Sequence, residues 1–134
     1  MAVTAGMTDE LRFFVPARLP SLNELIGAAN HSRYDGGRMK KRYTDLAESC
    51  ARRAAMEAGW TAPDGPVAIA LTWVERDRRR DQDNVTSGQK YLLDGIVAAG
   101  VLLDDSQRYV PQPSTNEITH DKDAPGVWVV IRRL

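Results

Sequence analysis

Asp81 and Asp83 are separated by a single residue and follow directly on three consecutive arginines, Arg78, Arg79 and Arg80. In an extended segment a spacing of two points both side chains to the same side. Two carboxylates held that close repel one another unless a cation lies between them, and hard oxygen donors with room left for water suit Mg2+ or Mn2+. Such ions, singly or in pairs about 4 Å apart, activate water against a phosphodiester and stabilise the leaving oxygen. The pattern therefore offers metal-dependent phosphoryl hydrolysis. A bare Asp-x-Asp also reads as a solvated acidic turn, so the surrounding residues carry the decision.

Three neighbours favour a site. Asn84 directly follows the pair and is a good N-cap, which predicts that the carboxylates lie at a strand-to-helix junction. Lys90 lies seven residues beyond Asp83, nearly on the same face of a helix begun at Asn84. An ammonium there can steer the scissile phosphate or share its developing charge. The same lysine precedes Asp94 by four residues, the spacing of a surface ion pair on a helix, and both roles can hold at once. Asp104 and Asp105 come just after Gly100, a helix terminator, where the chain can turn back and deliver a third carboxylate.

Together, RRDQDN, then K-x-x-x-D-G, then a glycine and DDSQ resemble the RusA family of Holliday-junction resolvases, which are small homodimeric Mg2+-dependent endonucleases often carried by phages and prophages. The resemblance covers the stretch from Arg78 to Asp105 and, more loosely, Leu19-Pro20-Ser21-Leu22-Asn23. It implies that Asp81, Asp83 and Asp105 are catalytic and hold Mg2+, with Mn2+ as the alternative, and that Lys90 is the active-site lysine. Asp94 and Asp104 match acidic family positions of secondary role, Asn84 completes the motif, and Asn23 is expected among the DNA contacts. One departure stands out, because VTSGQ separates Asn84 from Lys90 whereas the family lysine follows within about one helical turn. In an unbroken helix the extra three residues would turn the lysine about 60° and move it about 4.5 Å along the axis. Gly88 is a poor interior residue and Ser87 a good cap, so the expectation is a loop at Thr86-Ser87-Gly88 and a helix from Ser87, which returns Lys90 to a first turn.

A chain of 134 residues makes one domain, expected over 9–134 after a frayed segment 1–8. Eighteen basic and eighteen acidic side chains cancel, so no global field draws nucleic acid. Their distribution is uneven. Arg33, Arg38, Lys40 and Lys41 gather in HSRYDGGRMKKRY, whose first part, HSRYDGG, reads as a Gly-containing basic loop that either grips phosphates as a flap or simply connects. With Arg78, Arg79 and Arg80 they form the expected DNA-contact set, whose affinity should fall steeply with salt. Cys50 is the only cysteine, which excludes an internal disulfide and any multi-cysteine zinc site, and it falls on an apolar helix face as a packed thiol. His31 and His120 are isolated and read as surface residues. Residues 1–8 carry no basic and apolar leader, and no run is long enough to span a membrane, so a cytoplasmic protein without membrane contact is expected.

These residues need elements to position them. Leu11 to Val15 reads as a strand ended by Pro16, and Ser21 to Glu24 as a capping box opening a short helix through about Ala29. An amphipathic helix is expected from Met39 to Ala58, ended by Gly59. After a Pro63-Asp64-Gly65 turn, Val67, Ile69, Leu71 and Trp73 alternate along a central strand that places Trp73 in the core and ends beside the aspartates. Leu92, Leu93, Ile96 and Val97 give the next helix a buried stripe, leaving Lys90 and Asp94 on another side. Gln107 to Thr119 reads as an edge strand broken at Pro111 and Pro113, followed by a DKDAPG hairpin turn and a last strand in GVWVVIRRL. The order predicts an α+β domain with a roughly four-stranded mixed sheet packed by two main helices. The expected function is structure-selective cleavage of four-way DNA junctions by paired nicks, for which a two-fold homodimer supplies two sites. A metal nuclease acting on other branched DNA or on RNA, and a non-catalytic DNA-binding module with a vestigial site, are the alternatives.

Overall fold

Val67, Ile69, Leu71 and Trp73 all point to one side of strand β2 (Val67–Glu75) and all are buried, Trp73 to 1% exposure. The structure, a computed structural model, describes residues 9–134, so the segment 1–8 expected to fray lies outside the described residues. Strand β2 is an interior strand, antiparallel to β4 (Gly126–Arg133) on one side and parallel to β3 (Thr115–His120) on the other. Strand β1 (Glu10–Val15) closes the sheet beyond β4, giving the order β1-β4-β2-β3. The register stacks Leu11 on Ile131 on Ile69 and Phe13 on Val129 on Leu71, so the alternating apolar residues of three strands form one continuous buried face. On the opposite face Phe14 lies against Trp128 with ring centroids 4.9 Å apart, and Trp128 stays 44% exposed.

Helices cover the buried face: α1 (Leu22–His31), α2 (Arg33–Ala58), the short α3 (Gln82–Thr86) and α4 (Gln89–Ala98). The molecule is thus an α+β domain with a four-stranded mixed sheet, as expected, with α3 added ahead of α4. Small residues bring the two longest-packed helices together. A Cβ on Gly95 of α4 would meet the Ala47 Cβ at 2.6 Å and the Glu48 nitrogen at 2.7 Å, so only glycine allows this approach of α4 to α2. Among the described residues no helix is long and apolar enough to cross a membrane.

Three expectations are corrected. The HSRYDGG segment is helical: Ser32 alone stays extended between α1 and α2, its side chain accepting from the Asp35 N–H as the cap of α2. Gly36 is buried there, and a Cβ on it would meet Ala29 at 2.9 Å, so this glycine provides space between helices rather than a mobile loop. Arg33, Arg38, Lys40 and Lys41 accordingly ride on a helix that began six residues earlier than expected. The 121–125 turn joins no hairpin, because β3 and β4 lie on either side of β2. It crosses the end of β2, and the Asp121 N–H donates to the Glu75 carbonyl at 2.9 Å. Residues 107–113 are not strand; turn hydrogen bonds from Tyr109 and Val110 to the Ser106 carbonyl replace a ladder, and β3, an edge strand as expected, begins only at Thr115.

Candidate active site

Strand β2 ends on Glu75, whose carboxylate is buried instead of reaching water. A buried carboxylate requires a partner, and Arg80 supplies it in a two-point fork: Nε to Oε1 at 2.8 Å and Nη2 to Oε2 at 2.7 Å. The remaining nitrogen, Nη1, donates to the Leu19 carbonyl at 3.0 Å. Arg80 is therefore turned inward, its side chain 11% exposed, while Arg78 and Arg79 face solvent. Arg79 pairs with Asp77 at 3.6 Å, and Arg78 has no ion-pair partner among the described residues.

Asp81 follows Arg80 and occupies the N-cap position of α3, with extended backbone and no capping hydrogen bond from its side chain. Asp83 lies in the first turn of α3. The two carboxylates are thus not successive same-side positions of an extended run; they sit at the threshold and first turn of a helix. Both residues are exposed, and neither side chain has a hydrogen bond or ion pair to another described residue. Asn84 is inside α3 and not its cap. It accepts from the Asn23 side chain at 3.4 Å, which brings Asn23, at the start of α1, beside the aspartate segment.

The expected break in the helix is present, with different ends. Ser87 and Gly88 form the kink, α4 starts at Gln89, and Gly88 stands at its N-cap position without a side-chain bond. Ser87 does not cap α4 but is the C-cap residue of α3, and its hydroxyl accepts from the Leu22 N–H at 3.0 Å and donates to the Asn84 carbonyl at 2.9 Å. Gly88 is required by space, since a Cβ would meet Leu19 at 2.8 Å and lie 3.4 Å from the Trp73 ring. The kink leaves Lys90 in the first turn of α4, where its ammonium meets Asp94 at 2.9 Å and Asp105 at 3.7 Å. Lys90 and Asp105 are thereby adjacent. Asp104 accepts from the Asp105 N–H at 2.9 Å, which shapes the turn that presents Asp105.

The Asp94 hydrogen bond, outweighing a smaller opposing effect of burial and joined by the charge of Asp105, raises the Lys90 pKa above its ordinary value. A raised lysine contributes stability below its unfolded pKa of about 10.4 and loses it only as pH climbs through the folded value, so Lys90 is cationic throughout the neutral range. Its side chain is 66% exposed, and solvent screening holds the pair to well under about 1 kcal/mol. Lys90→Met is accordingly expected to leave the thermal midpoint within about 2 °C of wild type, measured by circular dichroism. A loss much larger than that would make Lys90 a structural residue.

Helix α1 is tied to the same region. Ser21 and Glu24 form the expected capping box, with the Ser21 hydroxyl accepting from the Glu24 N–H at 3.1 Å and Glu24 accepting from the Ser21 N–H at 3.3 Å. Partial burial alone would raise the Glu24 pKa. Two hydrogen bonds from Arg18, the Ser21 N–H and the charges of Arg18 and Arg80 outweigh it and hold the carboxyl below its usual value.

The remaining basic residues lie elsewhere on α2: Lys41 pairs with Asp45 at 2.7 Å, Arg38 stacks over Tyr34 at 5.0 Å, and Arg33 and Lys40 are exposed. Cys50 is half-buried against the core and His31 pairs with Asp35. Glu75 and Ser87 were not legible as parts of the site.

Hard oxygen donors are the right chemistry for a divalent cation of the Mg2+ class, and Asp81 and Asp83 are carboxylates with no competing protein partner. Among the described residues, no three or more carboxylate, histidine or cysteine side chains are grouped so that they could hold a metal ion. The donors present suit a cation that keeps several waters, as Mg2+ does, better than one enclosed by protein. A scan against known protein families and a search of curated proteins both return no match.

Proposed function

We propose that this chain is a Mg2+-dependent, structure-selective endodeoxyribonuclease that acts on branched DNA, with the four-way junction as its substrate and a cytoplasmic homodimer as its working form. The observation that carries the reading is that α3 opens on two aspartates whose side chains are unpartnered, Asp81 and Asp83, while α4 opens on a lysine, Lys90, whose ammonium lies between Asp94 and Asp105. Asp81, Asp83 and Asp105 are the residues that would hold Mg2+ or Mn2+. When bound, such an ion lowers the pKa of a water and offsets charge at the phosphate.

The protein's own groups supply the rest. Lys90, oriented by Asp94, offers a positive charge beside Asp105 for the developing charge on the phosphate. Arg78 and Arg79 are exposed on the approach to α3 and would anchor neighbouring phosphates, with Arg33, Arg38, Lys40 and Lys41 on α2 as a further basic surface. Contacts of this kind orient the duplex without reading its sequence. Asn23, held to Asn84, borders the site from α1.

The test is cleavage of a labelled synthetic four-way junction beside matched linear duplex, a replication fork and a structured RNA, each with Mg2+ and with EDTA. Paired symmetric nicks in the junction alone, lost in EDTA, are the expected result. Preferential cutting of the fork or the RNA would move the reading to another metal nuclease. The lack of a closed three-ligand cage among the described residues favours one rival, a DNA-binding module with a vestigial site. Junction binding without cleavage in Mg2+ or Mn2+ would select it.

A further inference from the structure

We infer that Arg80 and Glu75 form a positioning pair that sets the register of the Asp81-Asp83 segment, and that Arg80 is not a phosphate anchor. The inference rests on the reading of those aspartates as metal ligands. All three guanidinium nitrogens are engaged, two with Glu75 and one with the Leu19 carbonyl, and a Glu24 oxygen stands 3.6 Å from Nη1. A phosphate could recruit Arg80 only by displacing a carboxylate that is itself 92% buried, its side chain 8% exposed.

The location of the pair explains its use. Glu75 is the last residue of β2, and Arg80 is covalently joined to Asp81, so the fork spans the 76–79 excursion and fixes where the aspartate segment begins. A second clamp acts downstream, where the Leu22 N–H donates to the Ser87 hydroxyl. The segment bearing both aspartates is thus bracketed: Arg80 ties its start to the sheet and to Leu19, and Ser87 ties its end to α1. Metal-ligand carboxylates depend on such supporting bonds for orientation, and loss of a supporting group typically weakens metal affinity 10- to 100-fold.

The experiment compares wild type with Arg80→Gln, Glu75→Gln, the double variant Glu75→Gln/Arg80→Gln, and Arg80→Lys. Three quantities are read: Mn2+ binding to the protein alone by electron paramagnetic resonance, the Mg2+ dependence of junction cleavage, and the salt dependence of junction binding in EDTA. The positioning role predicts that each single variant weakens Mn2+ binding and raises half-saturating Mg2+ by roughly tenfold or more. The double variant should be no worse than the poorer single one, because the two act as a unit. Arg80→Lys should fail to restore affinity, since an ammonium cannot reproduce the fork. The salt slope of binding should be unchanged.

A phosphate anchor predicts otherwise. Arg80→Gln would then lower the salt slope by about one and weaken binding, while Glu75→Gln would leave Mn2+ affinity intact, and that pattern overturns the inference. If a single variant fails to fold, Glu75→Leu/Arg80→Met leaves no buried unpaired charge and carries the same measurement. Wild-type cleavage with unchanged variants overturns the positioning role alone. Weakened Mn2+ binding in the variants without wild-type cleavage keeps that role and removes the nuclease reading. A wild type that neither binds Mn2+ nor cleaves removes both.

Discussion

Asp83→Asn is expected to reduce Mg2+-dependent junction cleavage by about 10³-fold or more while leaving the protein folded and able to bind the junction. The substitution is nearly isosteric, and the Asp83 side chain is exposed without a hydrogen-bond or ion-pair partner among the described residues, so no side-chain contact in the fold depends on its charge. The thermal midpoint should therefore stay within about 2 °C of wild type, as for other surface changes. Junction affinity in EDTA should hold or tighten, since a negative charge facing phosphate is removed. Gel-shift and single-turnover cleavage measurements on the same preparation separate the two effects. Cleavage at the wild-type rate would sink the assignment of Asp83 as a metal ligand.

Gly95→Val should produce a large loss of stability. Even a Cβ at this position would lie 2.6 Å from the Ala47 Cβ, 2.7 Å from the Glu48 nitrogen and 2.9 Å from the Thr44 carbonyl oxygen, and two of these three are backbone atoms that cannot rotate away. Helix α4 must then lift from α2, uncovering Ile96 and Leu92, which are fully buried. Overpacking in a core costs about 1–3 kcal/mol and more when backbone must move, so about 3 kcal/mol or more is expected from urea denaturation. Because Lys90 and Asp94 ride on the same helix, cleavage should fall in parallel. Gly27→Ala is the matched control: it is helical, has nothing within 4 Å of an added Cβ, and should be neutral or stabilising by up to about 1 kcal/mol. Equal stability of Gly95→Val and wild type would mean that α2 and α4 are not packed this closely.

What could be read from the chain followed from local periodicity. Val67, Ile69, Leu71 and Trp73 announce an interior strand because period-two apolar alternation has no other economical solution, and Val127, Val129 and Ile131 announce its neighbour in the same way. The Ser21–Glu24 box and the break between Asn84 and Lys90 were likewise visible, because caps and glycines act over three or four residues. Non-local choices were hidden. Nothing near DKDAPG reveals that β2 will be inserted between β3 and β4, so the turn read as a hairpin. Gly36 and Gly37 read as loop residues because a sequence does not show that Ala29 will stand against one of them.

At the site, Asn84 and Asp81 are both good caps, and the position actually used is Asp81, three residues upstream. Arg80 looked like its neighbours Arg78 and Arg79. Only the burial of Glu75, five residues earlier at the end of an apolar strand, distinguishes it, and burial is a property of the assembled sheet.

The position of β4 has a consequence for how the protein comes into being on the ribosome. Residues 126–133 are synthesised after every other described element, yet they lie between β1 and β2 and provide every ladder bond by which β1 joins the sheet. A nascent chain that has already exposed Asp81, Asp83, Lys90 and Asp105 still lacks the strand that unites its two halves, and such non-local pairing forms late and slowly. The candidate site residues are therefore translated while their scaffold is still open. On the proposed reading, nuclease competence would arise only after β4 has slotted in, and a ribosome stalled before residue 126 would display an inert protein.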